Sequence, residues 1–304
     1  MKKYISLFLA ALMLLSLLAG CGNGKTNPDD GNGTRTLVLR NTAGLSTNDP
    51  HATTNTHDYT VFENIYEGLY DLNEATGGYD LRLAEKVEAN DDATEYIVTL
   101  KQGVKFHNGE TMTADDVVFS YAHAQKDAHM GSYCRPLDHV EKVDDYTVKI
   151  VMNQPFSPIG HMLHKVKIMS QKGVEELGND FGKVPNKVGT GPYMWDENNY
   201  NPLSSWSAVA FEDYHRGKAQ IEKITWNVIE DDTSAITALQ NGEVDYMVVP
   251  ISYWEDIKAS DKFNCVEKES NEVMLFCINV ESKTHGELLR NDNIRLAMMY
   301  ALDR

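Results

Sequence analysis

The sequence predicts an α/β chain with mixed sheets, divided into two or more lobes, and three observations carry that expectation. Thr94 to Ala124 reads as strand, tight turn and capped helix in succession, and Ile224 to Val249 reads as strand, helix, strand, a unit that demands a parallel pairing. The third is length, because 304 residues exceed one average domain and leave ample chain for a buried core.

In chain order, Thr36 to Leu39 is the first strand of the folded body, followed by a polar loop through Thr47-Asn48-Asp49-Pro50-His51. Phe62, Ile65, Tyr66, Leu69 and Tyr70 then recur at helical spacing, with Glu63 and Glu67 on the opposite side. Gly77-Gly78 turns the chain, and Leu81 to Val87 leads into the strand marked by Tyr96, Val98 and Leu100. Gly103 permits a turn, Val104 and Phe106 share one side of a short strand, and Asn108-Gly109 suits a type I′ turn. Thr113 and Asp116 form a capping box for a helix from Ala114, whose Val117, Val118, Tyr121 and Ala122 make one apolar face.

Downstream, Val148, Ile150 and Met152 alternate in a strand, and Ser157-Pro158 heads a short helix. Val166 to Met169 is a strand and Ser170 to Leu177 a helix, while Asn179 to Lys187, aperiodic and holding Gly182 and Pro185, is a lobe crossing. Ile224, Trp226 and Val228 form a strand, Asp232 caps a helix ended by Asn241-Gly242, and Val244 to Val249 and Val273 to Val280 are strands. Asp292 caps a last helix whose apolar face, with Ile294, Ala297 and Met298, has nothing after it to cover it.

The N-terminus carries its own signals. Lys2 and Lys3 followed by the apolar run Tyr4 to Ala19 form a secretory signal over residues 1–20, too short to span a bilayer. Leu18-Ala19-Gly20-Cys21 resembles a bacterial lipobox, which makes Cys21 the lipidated first residue of the mature protein. Residues 21–34, rich in Gly and Asn, read as a flexible tether with a reach on the order of 20 Å. The formal charge is −17, and loss of Lys2 and Lys3 takes it to about −19, which disfavours nucleic acid and anionic lipid as partners. Besides Cys21 only Cys134, Cys265 and Cys277 occur, without a C-x-x-C pair; the last two lie in strand-like surroundings and read as buried small hydrophobes.

A search for chemistry finds little. The chain has no G-x-S-x-G elbow, H-E-x-x-H pair, Walker loop or EF-hand pattern, so no catalytic residue and no cofactor is expected. His161 and His164 are spaced H-x-x-H, and His123, His129, Cys134 and His139 form a loose group; neither set has a third ligand in register, so no metal site is assigned. A secreted hydrolase rests only on export and abundant acids.

The segment Lys101 to Tyr121, K-Q-G-V-K-F-H-N-G-E-T-M-T-A-D-D-V-V-F-S-Y, closely resembles one shared by extracellular solute-binding proteins of the oligopeptide, dipeptide and nickel class, which feed ABC importers. The D-P-H loop, F-E-N-I-Y-E-G-L from Phe62, V-G-T-G-P-Y from Val188 and N-D-N-I-R-L-A-M-M-Y-A-L-D-R from Asn291 follow the same family order. The resemblance implies a periplasmic-binding-protein-like, class II type bilobal fold with the second lobe incomplete. It implies lobe I from 35–66 plus 188–272, an extra domain inserted at 67–187, and the start of a truncated lobe II at 273–304. The family's ligand cleft is bordered by the loop after D-P-H, the end of V-D-Y-M-V-V and the strand V-M-L-F-C-I-N. Carried over, these point to Thr54, Asn55 and Thr56, to Val248 and Val249, and to Met274, Leu275 and Phe276 as ligand-binding residues.

The function implied is a monomeric, lipid-anchored receptor on the outer face of the membrane or in the periplasm that passes short peptides to permease subunits. Nickel chelates or sugars are the alternatives within the class, and a non-binding remnant is the alternative if the chain truly stops at Arg304.

Overall fold

The computed structural model describes residues 35–268 and 277–301, which form two units, 35–251 and 252–301. The signal, the tether and Cys21 lie outside the described residues, as do Met274, Leu275 and Phe276 and the first half of the strand expected at Val273 to Val280; its second half, residues 277–280, is loop and turn rather than strand.

In the first unit, β1 (Thr36–Asn41) pairs in parallel with β10 (Lys223–Val228), which pairs antiparallel with β9 (Ser205–Ala210), and β9 with β8 (Tyr193–Asn201). This is the mixed sheet that the strand-helix-strand pattern requires. Phe62, Ile65 and Tyr66 pack with Trp195, Trp206 and Trp226, each at most 1 % exposed, into one core. Helix α1 (Thr56–Ile65) supplies Phe62 and Ile65, and its N-terminus stands by the end of β1.

A second core occupies residues 69–168. Here β4 (Ala84–Ala89), β5 (Glu95–Leu100), β7 (Thr147–Met152) and β6 (Leu137–Asp144) form an antiparallel sheet, with the ribbon β2 (Tyr70–Asn73) and β3 (Gly78–Leu81) beside it. Tyr96, Val98 and Leu100 alternate inward from β5 and Val148 and Ile150 from β7, giving the one-sided burial that a period of two dictates. Helix α2 (Ala114–Lys126) lays Val117, Tyr121 and Ala124 into this core, and its Thr113–Asp116 capping box is formed. Short helices α3 (Gly160–Lys165) and α4 (Gln171–Leu177) follow; Ser170 caps α4 by accepting the Gly173 N–H at 3.0 Å. Helix α5 (Asp232–Asn241) ends on Gly242 at φ +74°, a left-handed C-cap.

Several expectations are corrected. The helix from Phe62 stops at Ile65 rather than running through Tyr70, because Gly191 N–H takes the Ile65 carbonyl at 3.0 Å and Leu69 and Tyr70 turn into the second core. Glu67 is therefore not on a solvent face: it is 5 % exposed and accepts from Tyr214 at 2.8 Å and Thr190 at 3.1 Å, with His215 at 2.9 Å. The turn at Asn108-Gly109 is not type I′, since Gly109 is left-handed at φ +87° but Asn108 is not. Gly109 N–H bonds Phe106 O and Phe106 N–H bonds Glu110 O, so it is a three-residue hairpin loop. Only Lys105 and Thr111 pair there, not a strand. The strands expected at Val166 to Met169 and Val244 to Val249 shrink to single bridges, Lys167 to Gly68 and Tyr246 to Leu39. Caps shift by one or two residues: Ile159 precedes α3, and Asp231, not Asp232, caps α5.

In the second unit, α6 (Trp254–Lys258) is followed by α7 (Gly286–Leu289) and α8 (Asp292–Tyr300), the last capped by Asn291 rather than Asp292. Of the apolar face expected on α8, Ala297 and Met298 are exposed and Ile294 is half-buried. Cys265 is half-buried and Cys277 exposed, against the expectation that both are buried. No helix among the described residues is long and apolar enough to cross a membrane.

Candidate functional site

The site is assembled where β1 ends. Asn41, 4 % exposed, donates from Nδ2 to Ala43 O at 3.1 Å and to His57 O at 3.4 Å, fixing the first turn of α1 against the strand end. In that turn Asp58 is fully buried, accepting from Thr53 Oγ1 at 2.7 Å, from the Ser46 N–H at 3.2 Å and from the Ser46 hydroxyl. A carboxylate so placed also faces the positive end of the helix dipole. On the other flank of β1, Arg40 N–H donates to Tyr246 O at 3.1 Å, and Asp245 N–H and Val38 O pair at 2.8 Å, so the segment after α5 lies alongside the strand.

A cavity of about 430 Å³ opens between these elements. Leu39, Trp226, Tyr246 and Val248 make its apolar wall; Asn41, Thr42, Thr56, Thr60 and His57 add hydrogen-bonding groups. Arg40 also lines it, but its Nε donates to Ile229 O at 2.9 Å and its Nη2 to Glu230 O at 3.1 Å and Asp232 Oδ1 at 2.7 Å. The size falls within the ~300–1,000 Å³ of small-molecule sites, and the carboxyl ends of strands are where open α/β sheets bind ligands.

Of the ligand residues expected from the sequence, Thr56 and Val248 line this cavity. Thr54 and Asn55 are exposed just ahead of α1 and outside the lining, and Val249 is half-buried one residue past it. Sequence reasoning missed Leu39, Arg40, Asn41, Thr42, His57, Thr60, Trp226 and Tyr246. Tyr246 sat inside the V-D-Y-M-V-V motif and could have been found there; the others carry no local signal.

Two clusters among the described residues gather three metal-type side chains: Asp49, His51 and His123, and Glu63, Asp71 and His164. Most of their atoms are already engaged, although His51 Nδ1 and His164 Nδ1 are buried without a hydrogen-bond partner. His51 Nε2 accepts the Lys167 N–H at 3.0 Å, which leaves the proton on Nδ1, while His123 Nε2 and Asp49 Oδ2 share a 2.8 Å hydrogen bond. Burial drives the His51 pKa down to about 4; the hydrogen bond to Asp49 raises that of His123. Burial would raise the Glu63 carboxyl, but the charge and hydrogen bond of Lys167 outweigh it and hold it low. Asp71 pairs with Arg82. His129 and His139, from the loose group noted in the sequence, are exposed and pair with Asp127 and Asp138 instead.

The family description "Bacterial extracellular solute-binding proteins, family 5 Middle" matches residues 79–304. The chain belongs to this family. The glutathione-binding protein GsiB of Salmonella paratyphi A is 30 % identical over 278 residues, covering 88 % of this chain and 52 % of GsiB. The oligopeptide-binding protein AppA of Bacillus subtilis is 30 % identical over 263 residues, 81 % of this chain and 46 % of AppA. The AppA structure with a nonapeptide superposes at TM-score 0.67 and 25 % identity over 75 % of this chain and 47 % of that one. NikZ of Campylobacter jejuni, solved with Ni(L-His), shares the fold at TM-score 0.78 and 22 % identity over 88 % of this chain and 53 % of its own. The chain thus spans about half the length of the curated relatives it matches. These family 5 relatives are named as binding proteins rather than enzymes.

Proposed function

We propose that this family 5 protein is the substrate-binding lipoprotein of an ABC importer, anchored through Cys21, and that it captures short peptides and delivers them to a membrane permease. The observation that carries the reading is the cavity of about 430 Å³ at the end of β1, uncharged over nearly all of its lining and open beside the Tyr246–Val248 segment. An extended peptide can hydrogen-bond to such an edge through its main chain while its side chains enter roomy pockets. Met274, Leu275 and Phe276 are proposed as further ligand residues and residue 273 as the start of a second lobe; hinge closure on a ligand would signal occupancy to the permease. Residues 67–187 are proposed as the inserted domain and 35–66 with 188–272 as lobe I. Peptide ligands also agree with the two relatives named above, since glutathione is itself a tripeptide. A nickel chelate fits less well, because His57 is the one imidazole of the lining.

Titration calorimetry of the full-length protein with di- to pentapeptides tests the proposal. Micromolar or tighter heats with some of them are expected; no heat and no thermal shift with any peptide would discard it.

A further inference from the structure

The charge balance of the cavity defines which part of a ligand it accepts. Arg40 is the one permanently charged side chain of the lining, yet its side chain is 4 % exposed. Its guanidinium is drawn behind the wall by two carbonyls of the loop after β10 and by Asp232 Oδ1 at 2.7 Å. What faces the space is Leu39, Tyr246 and Val248 with threonine hydroxyls and the His57 imidazole, and the buried Trp226 lies behind them. The whole chain carries −17, so no broader field favours an anion here.

We propose, building on the peptide reading, that this cavity is a subsite for one uncharged aromatic or aliphatic side chain of the bound peptide. Asp232 is its specificity determinant: by neutralising Arg40 from outside the cavity it denies a partner to an acidic side chain. A carboxylate entering the cavity gives up water and finds no free cation, whereas an aromatic side chain buries apolar area against Leu39, Tyr246 and Val248. A basic side chain likewise gives up water and finds no acid in the lining to pair with.

The test is calorimetry on the full-length protein with trialanine scanned at each of its three positions by Phe, Leu, Glu and Lys. At one position Phe and Leu should bind about tenfold or more tighter than Glu and Lys, the cost of an uncompensated charged group. In Asp232→Asn, which keeps the Asp231 cap, the Glu peptide should gain about tenfold while the Phe peptide changes less than about threefold. Equal affinity for Phe and Glu at every position sinks the subsite and leaves the peptide reading standing. An unchanged Glu-to-Phe ratio in Asp232→Asn sinks the role of Asp232. Failure of every peptide to bind sinks the peptide reading, and this inference with it.

Discussion

Lys167 Nζ lies 2.8 Å from Glu63 Oε2 although only 1 % of the lysine side chain is exposed. The pair joins α1, which borders the cavity beside β1 at its other end, to the segment that leaves α3. Removing the acid strands a buried ammonium, a situation that costs several kcal/mol when both partners are buried; Glu63, 36 % exposed, admits some water. Glu63→Ala should therefore lower the stability measured by urea unfolding by about 2–3 kcal/mol. Adding Lys167→Met, which removes the stranded charge, should restore most of it. A Glu63→Ala protein as stable as the parent would show that Lys167 is not held by this contact.

Acid should unfold the protein through its buried histidines. Burial holds His51, His107 and His164 at about 4 in the folded state, against 6.5 ordinarily. Between those values the unfolded chain binds more protons than the folded one, so stability is full above pH 6.5 and drains as pH falls toward 4. His51 and His107, the two most deeply buried, account for up to roughly 3 kcal/mol each. His123 acts in the opposite sense: its pKa is raised by Asp49, so the stability it adds is present at low pH and lost as pH rises past its folded value. The melting temperature should drop steeply from pH 7 to pH 5; a flat profile would mean these imidazoles are protonated without penalty.

Two glycines of the V-G-T-G-P-Y segment hold α1 by close approach. A β-carbon on Gly189 would stand 2.2 Å from Ile65 O, and one on Gly191 2.6 Å from Asn64 O. Both neighbours are backbone and cannot swing aside. Gly189→Ala and Gly191→Ala should each cost about 2–3 kcal/mol, while Gly131→Ala, whose nearest neighbour would be 3.4 Å away, should cost little. Denaturant midpoints decide it, and equal midpoints for Gly189→Ala and Gly131→Ala would refute the close approach.

These contacts show where local pattern stops being informative. Tyr96, Val98 and Leu100, or Val148 and Ile150, reveal their strands because a period of two is written in adjacent residues. Thr113 and Asp116 reveal a cap for the same reason. The end of α1 is not local: the helical stripe runs on to Tyr70, and what stops the helix is Gly191, far along the chain. The burial of Glu67 depends on Thr190, Tyr214 and His215 in the same way. The cavity is harder still, because Arg40, Asn41 and Trp226 meet only through the parallel register of β1 and β10. Thr56 and Val248 came from the family resemblance, since no periodicity distinguishes a pocket residue from a core one.

Val248 offers the cleanest separation of binding from folding. It lines the cavity yet is 79 % exposed, so Val248→Asp should leave the melting temperature nearly unchanged. At the cavity mouth the new carboxylate meets an Arg40 already committed to Asp232, and it replaces apolar surface that a ligand side chain would cover. Peptide affinity should fall about tenfold or more. Tyr246→Ala, at a residue 61 % exposed in the same wall, should weaken binding in the same direction by removing contact area. Thr54→Ala serves as the contrast, because Thr54 is exposed but stands outside the lining, and its affinity should match the parent. If calorimetry instead finds Thr54→Ala impaired and Val248→Asp intact, the ligand rests on the loop ahead of α1 and the cavity beside β1 is not its seat.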